Sequence, residues 1–396
     1  MLKLQKARFA VSAYFLFGGT SMSVWAVHIP LIEKNLGLSH AALGSTLLLL
    51  GAGAFVSMQI MGWIIDHFGS RLPTILGAIA TSVALALPGL ADSLLTLAIA
   101  LFVLGMAVGA LDVSMNAHAV LVEKLYERPI FSAFHAFWSA GGMVGAIIGA
   151  ATLGFSLPTQ TTMPATGLAL LVASLGLAPW LIKDSVNGAL AKSEADSKTS
   201  AKPSNASTNR KYLGLVFLIG AMSFAAVIAE GSAVDWSAVQ LANSTSASLS
   251  VAAWGLVAFS LTMTAGRLFG DGLVARFGRY FVIQWGSWIG AAGLTIVAFT
   301  SDTTIALVGW AILGAGVSSI VPQLFAASAE VGEPSHSGRN MAKVVGLTYA
   351  GILAGPAIIG WLTNWMTLSL ALGIGAVLCC LVALNVPYLK KRVESR

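Results

Sequence analysis

The stretch from Gly105 to Glu123 reads GMAVGALDVSMNAHAVLVE, inside an apolar run that begins near Leu94 and is long enough to cross a bilayer. It nevertheless carries Asp112, Asn116 and His118, side chains that a lipid-facing helix does not hold without a reason. Asp112 precedes Glu123 by eleven residues. At a helical rise of about 1.5 Å per residue it is roughly 16 Å deep, near the middle of a hydrocarbon layer about 30 Å thick. An aspartate at that depth costs on the order of 2.5 to 3.5 kcal/mol on insertion scales. Gly105 and Gly109, one turn apart, let a neighbouring helix approach and turn Asp112 toward a protein interior. The helix therefore reads as lining a transport path.

The rest of the chain has the same character. Of 396 residues, 57% are hydrophobic and 10% charged, far too little polar surface for a soluble domain. Apolar runs near 9–32, 42–63, 72–91, 94–122, 131–154, 163–182, 212–239, 247–270, 280–300, 303–330, 341–363 and 367–389 predict transmembrane helices. With the N-terminus inside, alternation of these spans puts every one of the 22 Lys and Arg residues except Lys34 on the cytoplasmic side. The N- and C-termini are thus expected to be cytoplasmic, in a bacterial-type inner membrane. The net charge of +6 follows from this inner-face bias and gives no basis for nucleic-acid binding. The basic start before residue 9 shows no cleavage site, so the first span reads as a retained signal anchor. Cys379 and Cys380 are neighbours in the last span and read as core packing, neither a disulfide nor a metal pair.

Residues 184–211 change abruptly to Lys, Ser, Ala, Asn and Thr, which reads as a flexible cytoplasmic linker. It divides the chain into an N-terminal bundle, 1–183, and a C-terminal bundle, 212–396. The two repeat each other. Phe68-Gly69 with Arg71 recurs as Phe277-Gly278 with Arg279, Leu104-Gly105 recurs as Leu313-Gly314, and Gly141 with Gly145 recurs as Gly351 with Gly355. The offsets are 208 to 210 residues throughout, the mark of an internal duplication. Asp112 has no acidic counterpart, since its repeat mate is Val321, followed by Pro322. Coupling chemistry is therefore expected to be carried unequally by the halves.

Several further residues are candidates for chemistry. Trp25 and His28 fall in the outer part of the first span, where Trp25 is either an interfacial anchor or a stacking surface for a ligand, and His28 an interface hydrogen-bonding group. His135 and Trp138 open the fifth span, with Gly141, Gly142, Gly145 and Gly149 as a small-residue packing face. Asp112, His118 and His135 suggest a stepped polar path from the midplane inward. Glu123 reads as part of a solvated inner loop. In the seventh span Gly231 is expected to break the helix between Glu230 and Asp235-Trp236, with Glu230 near an outer gate and Asp235-Trp236 an outer-interface pair. Arg267 and Asp271, one turn apart, read as a local pair. Gln323 lies in an uncharged polar patch beside Pro322, and Tyr349 precedes the Gly355-Pro356 hinge signal.

At the inner end of the second span, Gly62-x-x-x-Asp66-x-x-Gly69-x-Arg71 resembles the loop motif GxxxDxxGxR of the major facilitator superfamily. The resemblance implies an all-α membrane protein with a major facilitator fold, twelve transmembrane helices in two six-helix pseudo-symmetric halves. In that family this motif stabilises the state open to the outside. Gly62 would permit close packing, Asp66 would complement a helix N-terminus, and Gly69 would allow the tight turn. His67 and Ser70 stand where basic residues are usual. Nearly the whole chain also resembles the branch that includes the rhizopine-associated MosC and inner-membrane YbjJ proteins. That likeness rests on Trp25-Ala26 in the first span, Asn116 with Glu123, His135, and Glu230-Gly231-Ser232 with Asp235-Trp236. More distantly, Gly109, Asp112 and Asn116 match the spacing of a motif in proton/fucose symporters.

These readings converge on a secondary transporter of a small polar organic solute, with a sugar, polyol or derivative preferred, coupled to protons. Asp112, Glu230, His135 and His118 are the coupling candidates. Trp25, Asn116, Trp138, Gln323 and Tyr349 are the candidates for contacting substrate. No enzymatic activity, cofactor or metal is expected, and the protein reads as a monomer in the lipid bilayer. Proton-driven efflux of amphipathic compounds is the alternative, and a non-transporting sensor one of another class. The absence of a GxxxxGK[ST] loop argues against a nucleotide-driven pump.

Overall fold

The computed structural model describes residues 2–126, 130–183, 212–245, 247–331 and 337–394. The proposed linker, 184–211, lies outside the described residues. Among these residues the chain is helical with no strand. Twelve helices are long and apolar enough to cross a membrane, and each coincides with one of the runs read from hydropathy. Such helices suit a bilayer, because a helix satisfies its own backbone donors and acceptors where there is no water to do so.

The first six spans are α1 (Leu2–Leu36), α2 (His40–Phe68), α3 (Arg71–Ala84) continued by the short α4 (Ala86–Leu90), α5 (Leu94–Tyr126), α6 (Phe131–Gly154) and α7 (Thr159–Leu177), which ends in a 3-10 turn, Ala178–Trp180. The second six are α8 (Leu213–Ser244), the short α9 (Leu249–Ala252) with α10 (Trp254–Phe277), α11 (Arg279–Phe299), α12 (Thr303–Val317) with α13 (Ile320–Ala329), α14 (Ser337–Leu362) and α15 (Leu368–Glu394). The chain forms two compact units, one of Met1–Leu38 with Thr46–Lys202 and one of Ser39–Ser45 with Pro203–Arg396.

Inside each unit the same pairs of spans touch. In the first, α1 lies along α6, and α3 along α5 and α7; in the second, α8 lies along α14, and α11 along α12 and α15. Glycines make these contacts close. A side chain on Gly105 would run into the backbone carbonyl of Leu50, and one on its repeat mate Gly314 into that of Phe259. Gly141 likewise faces the Leu16 carbonyl and Gly351 the Phe224 carbonyl. Since lipid tails are as apolar as leucine, helix association here rests on such backbone approach and on packing. The core of the first unit adds Tyr14, Phe15, Leu111, Met115 and Phe134, with the Phe15 and Phe134 rings stacked at 5.8 Å. Tyr14 Oη donates to the Ser174 carbonyl at 2.8 Å, tying α1 to α7.

The motif glycines Gly69 and Gly278 have φ of +75° and +82°, the left-handed backbone that favours glycine, so the tight turn is present in both units. Other expectations are corrected. Gly62 packs against nothing, since an added Cβ would enter open space. The helix α8 runs unbroken through Gly231, and α14 runs through Pro356. A glycine costs a helix about 1 kcal/mol, which is too little to open its hydrogen bonds where water is excluded. The tenth span does break, at Ser318 and Ser319, just ahead of Pro322. Cys379 is buried, and both cysteines are free.

Candidate functional site

In the first unit the polar groups of α5 divide between two faces. Asp112 and Asn116 are one turn apart, and the Asn116 amide donates to the Asp112 carboxylate at 3.1 Å and to its backbone carbonyl at 2.8 Å. The carboxylate has no cationic partner among the described residues, and both side chains remain partly accessible. His118 lies two residues further, on a different face, and is fully buried. Its Nε2 accepts the backbone N–H of Ile182 at 3.2 Å, so the proton of the neutral ring is on Nδ1, which meets Ser70 Oγ at 2.9 Å. One imidazole thus joins α5, the α2–α3 turn and the segment after α7. Both its nitrogens are occupied, and neither points along a path to Asp112.

His135 is exposed and rests against the rings of Phe15, at 5.2 Å, and Phe131, at 5.1 Å. Trp138 is half-buried, its ring over Gly18 and its backbone against Gly19. Trp25 is 1% exposed, which removes the interfacial-anchor reading, and its indole N–H lacks a partner among the described residues. His28 is also buried: its Nδ1 donates to the Val24 carbonyl at 2.7 Å and Nε2 approaches Thr152 Oγ1 at 3.5 Å. Its role as an interface group is corrected to a bond within the bundle. Around the α2–α3 turn, Asp66 is exposed, while Arg71 donates to the Ala178 carbonyl at 3.2 Å.

Glu123 departs from the solvated loop expected for it. Its Oε2 accepts the backbone N–H groups of Ile130, at 2.7 Å, and Phe131, at 2.5 Å, and so caps the start of α6. Two donors that the first turn of a helix leaves unpaired are satisfied by one carboxylate, whose charge also suits the helix N-terminus.

In the second unit Arg267 of α10 reaches Glu230 of α8 with an Nη2 to Oε1 distance of 3.2 Å, each side chain a little over a quarter exposed (29% and 27%). The local partner expected for Arg267, Asp271, has its side chain outside the described residues. An arginine inside an apolar span was the available signal, because such a charge requires a carboxylate or carbonyl partner. Asp235 lies over Gly231 on the same helix. Trp236 is 0% exposed and meets His40 edge-on at 6.0 Å, so Asp235-Trp236 is no outer-interface pair. Gln240, which the sequence reading passed over, accepts from the Trp310 indole at 3.3 Å and reaches Ser369 at 3.5 Å, all inside the bundle. Gln323 is partly accessible with no side-chain partner among the described residues, and Tyr349 is partly accessible on α14. Arg279, the repeat mate of Arg71, makes an ion contact with Glu330 at 2.9 Å.

Comparison with known proteins bears on the family and the fold. The model of the Major Facilitator Superfamily matches residues 10–239 and again 225–396. An uncharacterised MFS-type transporter of Yersinia pestis is 35% identical over 93% of this chain and 92% of its own length. An uncharacterised transporter, y4wD, of Sinorhizobium fredii is 32% identical over 96% of this chain and 97% of its own. The membrane protein MosC of Rhizobium meliloti is 29% identical over 95% and 87%. Among solved structures, the nucleoside transporter NupG superposes with a TM-score of 0.75 over 99% of this chain and 100% of its own, at 11% identity. A point mutant of NupG gives 0.76 over 97% and 99%, at 12% identity. At such identities the likeness shows the fold.

Proposed function

Because the chain belongs to the Major Facilitator Superfamily, in its MosC-like branch, we propose that this multi-pass membrane transporter is proton-coupled and carries a small polar organic solute, with a sugar, polyol or derivative preferred. The observation that carries the coupling is Asp112, a carboxyl group in the middle of a spanning helix whose side-chain partner is the neutral amide of Asn116. A carboxylate at that depth needs a cation or a proton, and among the described residues no Lys or Arg pairs with it. Glu230 is the second coupling candidate, and its pairing with Arg267 supplies a charge that can replace a proton.

The solute class rests on the neutral polar and aromatic candidates. Asn116, Gln323 and Tyr349 offer amide and hydroxyl hydrogen bonds, and the half-buried Trp138 offers a flat apolar face, a combination suited to a ring bearing hydroxyl groups, whereas Trp25 is buried in the bundle. Transport proceeds by alternating access of the two halves, with the N- and C-termini in the cytoplasm of a bacterial-type cell. His118, with both nitrogens engaged, and His135, between two aromatic rings, fit support of the bundle better than proton carriage.

The test is an uptake screen in proteoliposomes under an imposed pH gradient, with pooled sugars, polyols and lipophilic cations. Accumulation of a polar solute that collapses when the gradient is dissipated supports the reading. Accumulation of the lipophilic cations alone would replace it by efflux.

A further inference from the structure

The first unit carries a basic and aromatic surface that includes none of the transport candidates named above. At the start of α1 the Lys6 ammonium lies 5.5 Å from the ring centroid of Trp180, and Phe9, one turn on, meets the same ring at 5.9 Å. Phe9 is 59% and Trp180 39% exposed. Lys3, one turn before Lys6, and Lys183, three residues after Trp180, are also exposed. The patch is held in place from behind. Arg71 donates to the carbonyl of Ala178, in the same 3-10 turn as Trp180, and Arg8 is drawn off to Tyr126, whose hydroxyl it reaches at 3.4 Å. Three ammonium groups are thus left facing outward, with no acidic partner among the described residues.

The surroundings say what such a patch would take. Residues 1–32 contain no Asp or Glu, and Glu123, on α5, is committed to the cap of α6. On the helix that leads to Trp180, Leu168, Val172 and Leu175 recur at helical spacing and are all exposed. An exposed aromatic ring with an ammonium group above it, further exposed lysines nearby in the chain and an apolar helix leading to it match a molecule with an anionic head and a hydrocarbon tail. Basic groups at the end of a spanning helix bind anionic headgroups, and tryptophan is at home at that depth.

We propose that Lys3, Lys6, Trp180 and Phe9 form a binding site for an anionic phospholipid, its phosphate against the lysines and an acyl chain along Phe9 and α7. Charge complementarity selects it over a zwitterionic lipid, whose choline or ethanolamine group would meet the same ammonium groups.

The experiment uses the full chain, purified and delipidated in mild detergent. It is titrated with phosphatidylglycerol, phosphatidylcholine or inorganic phosphate, and bound lipid is counted by native mass spectrometry. Phosphatidylglycerol should be retained and phosphatidylcholine lost, with inorganic phosphate failing to displace the former. Lys6→Gln should weaken retention about fivefold, a Lys3→Gln/Lys6→Gln double variant more, and Lys6→Arg little, from about 1 kcal/mol per basic residue near an anionic lipid surface. Trp180→Leu, which keeps apolar bulk, should lower retention at an unchanged melting temperature, and it serves if the lysine variants fold poorly. Lys390→Gln/Lys391→Gln, at the end of α15, is the comparison for general positive charge. Equal retention of the two lipids, displacement by free phosphate, or an equal loss in the α15 variant would each overturn the site.

Discussion

Arg267 and Glu230 stand 37 positions apart on separate helices, yet their side chains meet at 3.2 Å inside the second unit. Their charges are opposite, and the contact joins α8 to α10. Removal of one partner leaves the second desolvated, which costs several kcal/mol in a closed interior and less here because both groups keep some access to solvent. Glu230→Gln should therefore destabilise the protein by about 1 to 3 kcal/mol, seen as a lower melting temperature in detergent. Pairing it with Arg267→Gln should restore part of the loss. A double variant as unstable as the sum of the singles would show that the two groups do not act as a pair.

The glycines give a second prediction. Gly105→Val puts a branched side chain against the Leu50 carbonyl, and Gly314→Val does the same at Phe259, so each must push two spanning helices apart. Overpacking of this kind costs about 1 to 3 kcal/mol, and more where the obstacle is backbone, as here. Both variants should give little folded protein by size-exclusion chromatography. Gly62→Ala is the contrast: its Cβ meets nothing, and alanine in a helix is favoured by about 0.5 to 1 kcal/mol. Its melting temperature should hold or rise. A loss of transport at unchanged stability would then mark Gly62 as a residue that another state of the cycle approaches.

These contrasts mark where the sequence was legible. The spans could be read because a bilayer imposes one length and one composition on every crossing helix. The repeat could be read because a glycine under a carbonyl tolerates no substitute, and Gly105 and Gly314 keep the same neighbour in both units. Rotation about a helix axis is different. Distance along the chain gives depth, and it placed Trp25 and Trp236 at the outer part of the membrane, but both rings turn into the bundle and are fully buried. The same limit hid the partner of Arg267, because which faces converge depends on helix packing and not on spacing within one helix. Asp112 and Asn116 were legible as a pair for the opposite reason, being one turn apart on a single helix.

The Glu123 cap gives a third prediction. Glu123→Ala strands the N–H groups of Ile130 and Phe131 and should cost about 0.5 to 2 kcal/mol, the usual range for losing a helix N-cap. Glu123→Gln keeps an oxygen acceptor without the charge and should cost less. Hydrogen exchange at the amides of residues 130 and 131 is the direct measurement, with protection falling in the order wild type, Gln, Ala. Unchanged exchange at those two amides in Glu123→Ala would mean that the carboxylate does not cap the helix in the membrane.

The last prediction concerns Asp112. Asp112→Asn preserves the size of the side chain, and an amide at that position can still exchange a hydrogen bond with Asn116, so the helix has no reason to move. What is lost is the ability to release a proton. If Asp112 is the coupling acid, accumulation driven by a pH gradient should fail while exchange of labelled solute across the membrane persists, because exchange returns the loaded carrier without a deprotonation step. If the carboxylate only braces α5 through Asn116, the two activities should fall together and the melting temperature with them. Asn116→Ala separates the cases further: it removes the side-chain partner that Asp112 has among the described residues, and under the coupling reading it should move the pH dependence of transport before it reduces exchange. An Asp112→Asn protein that still concentrates solute against a gradient would pass the proton to Glu230, whose pairing with Arg267 is another place where a membrane carboxylate can trade one positive charge for another.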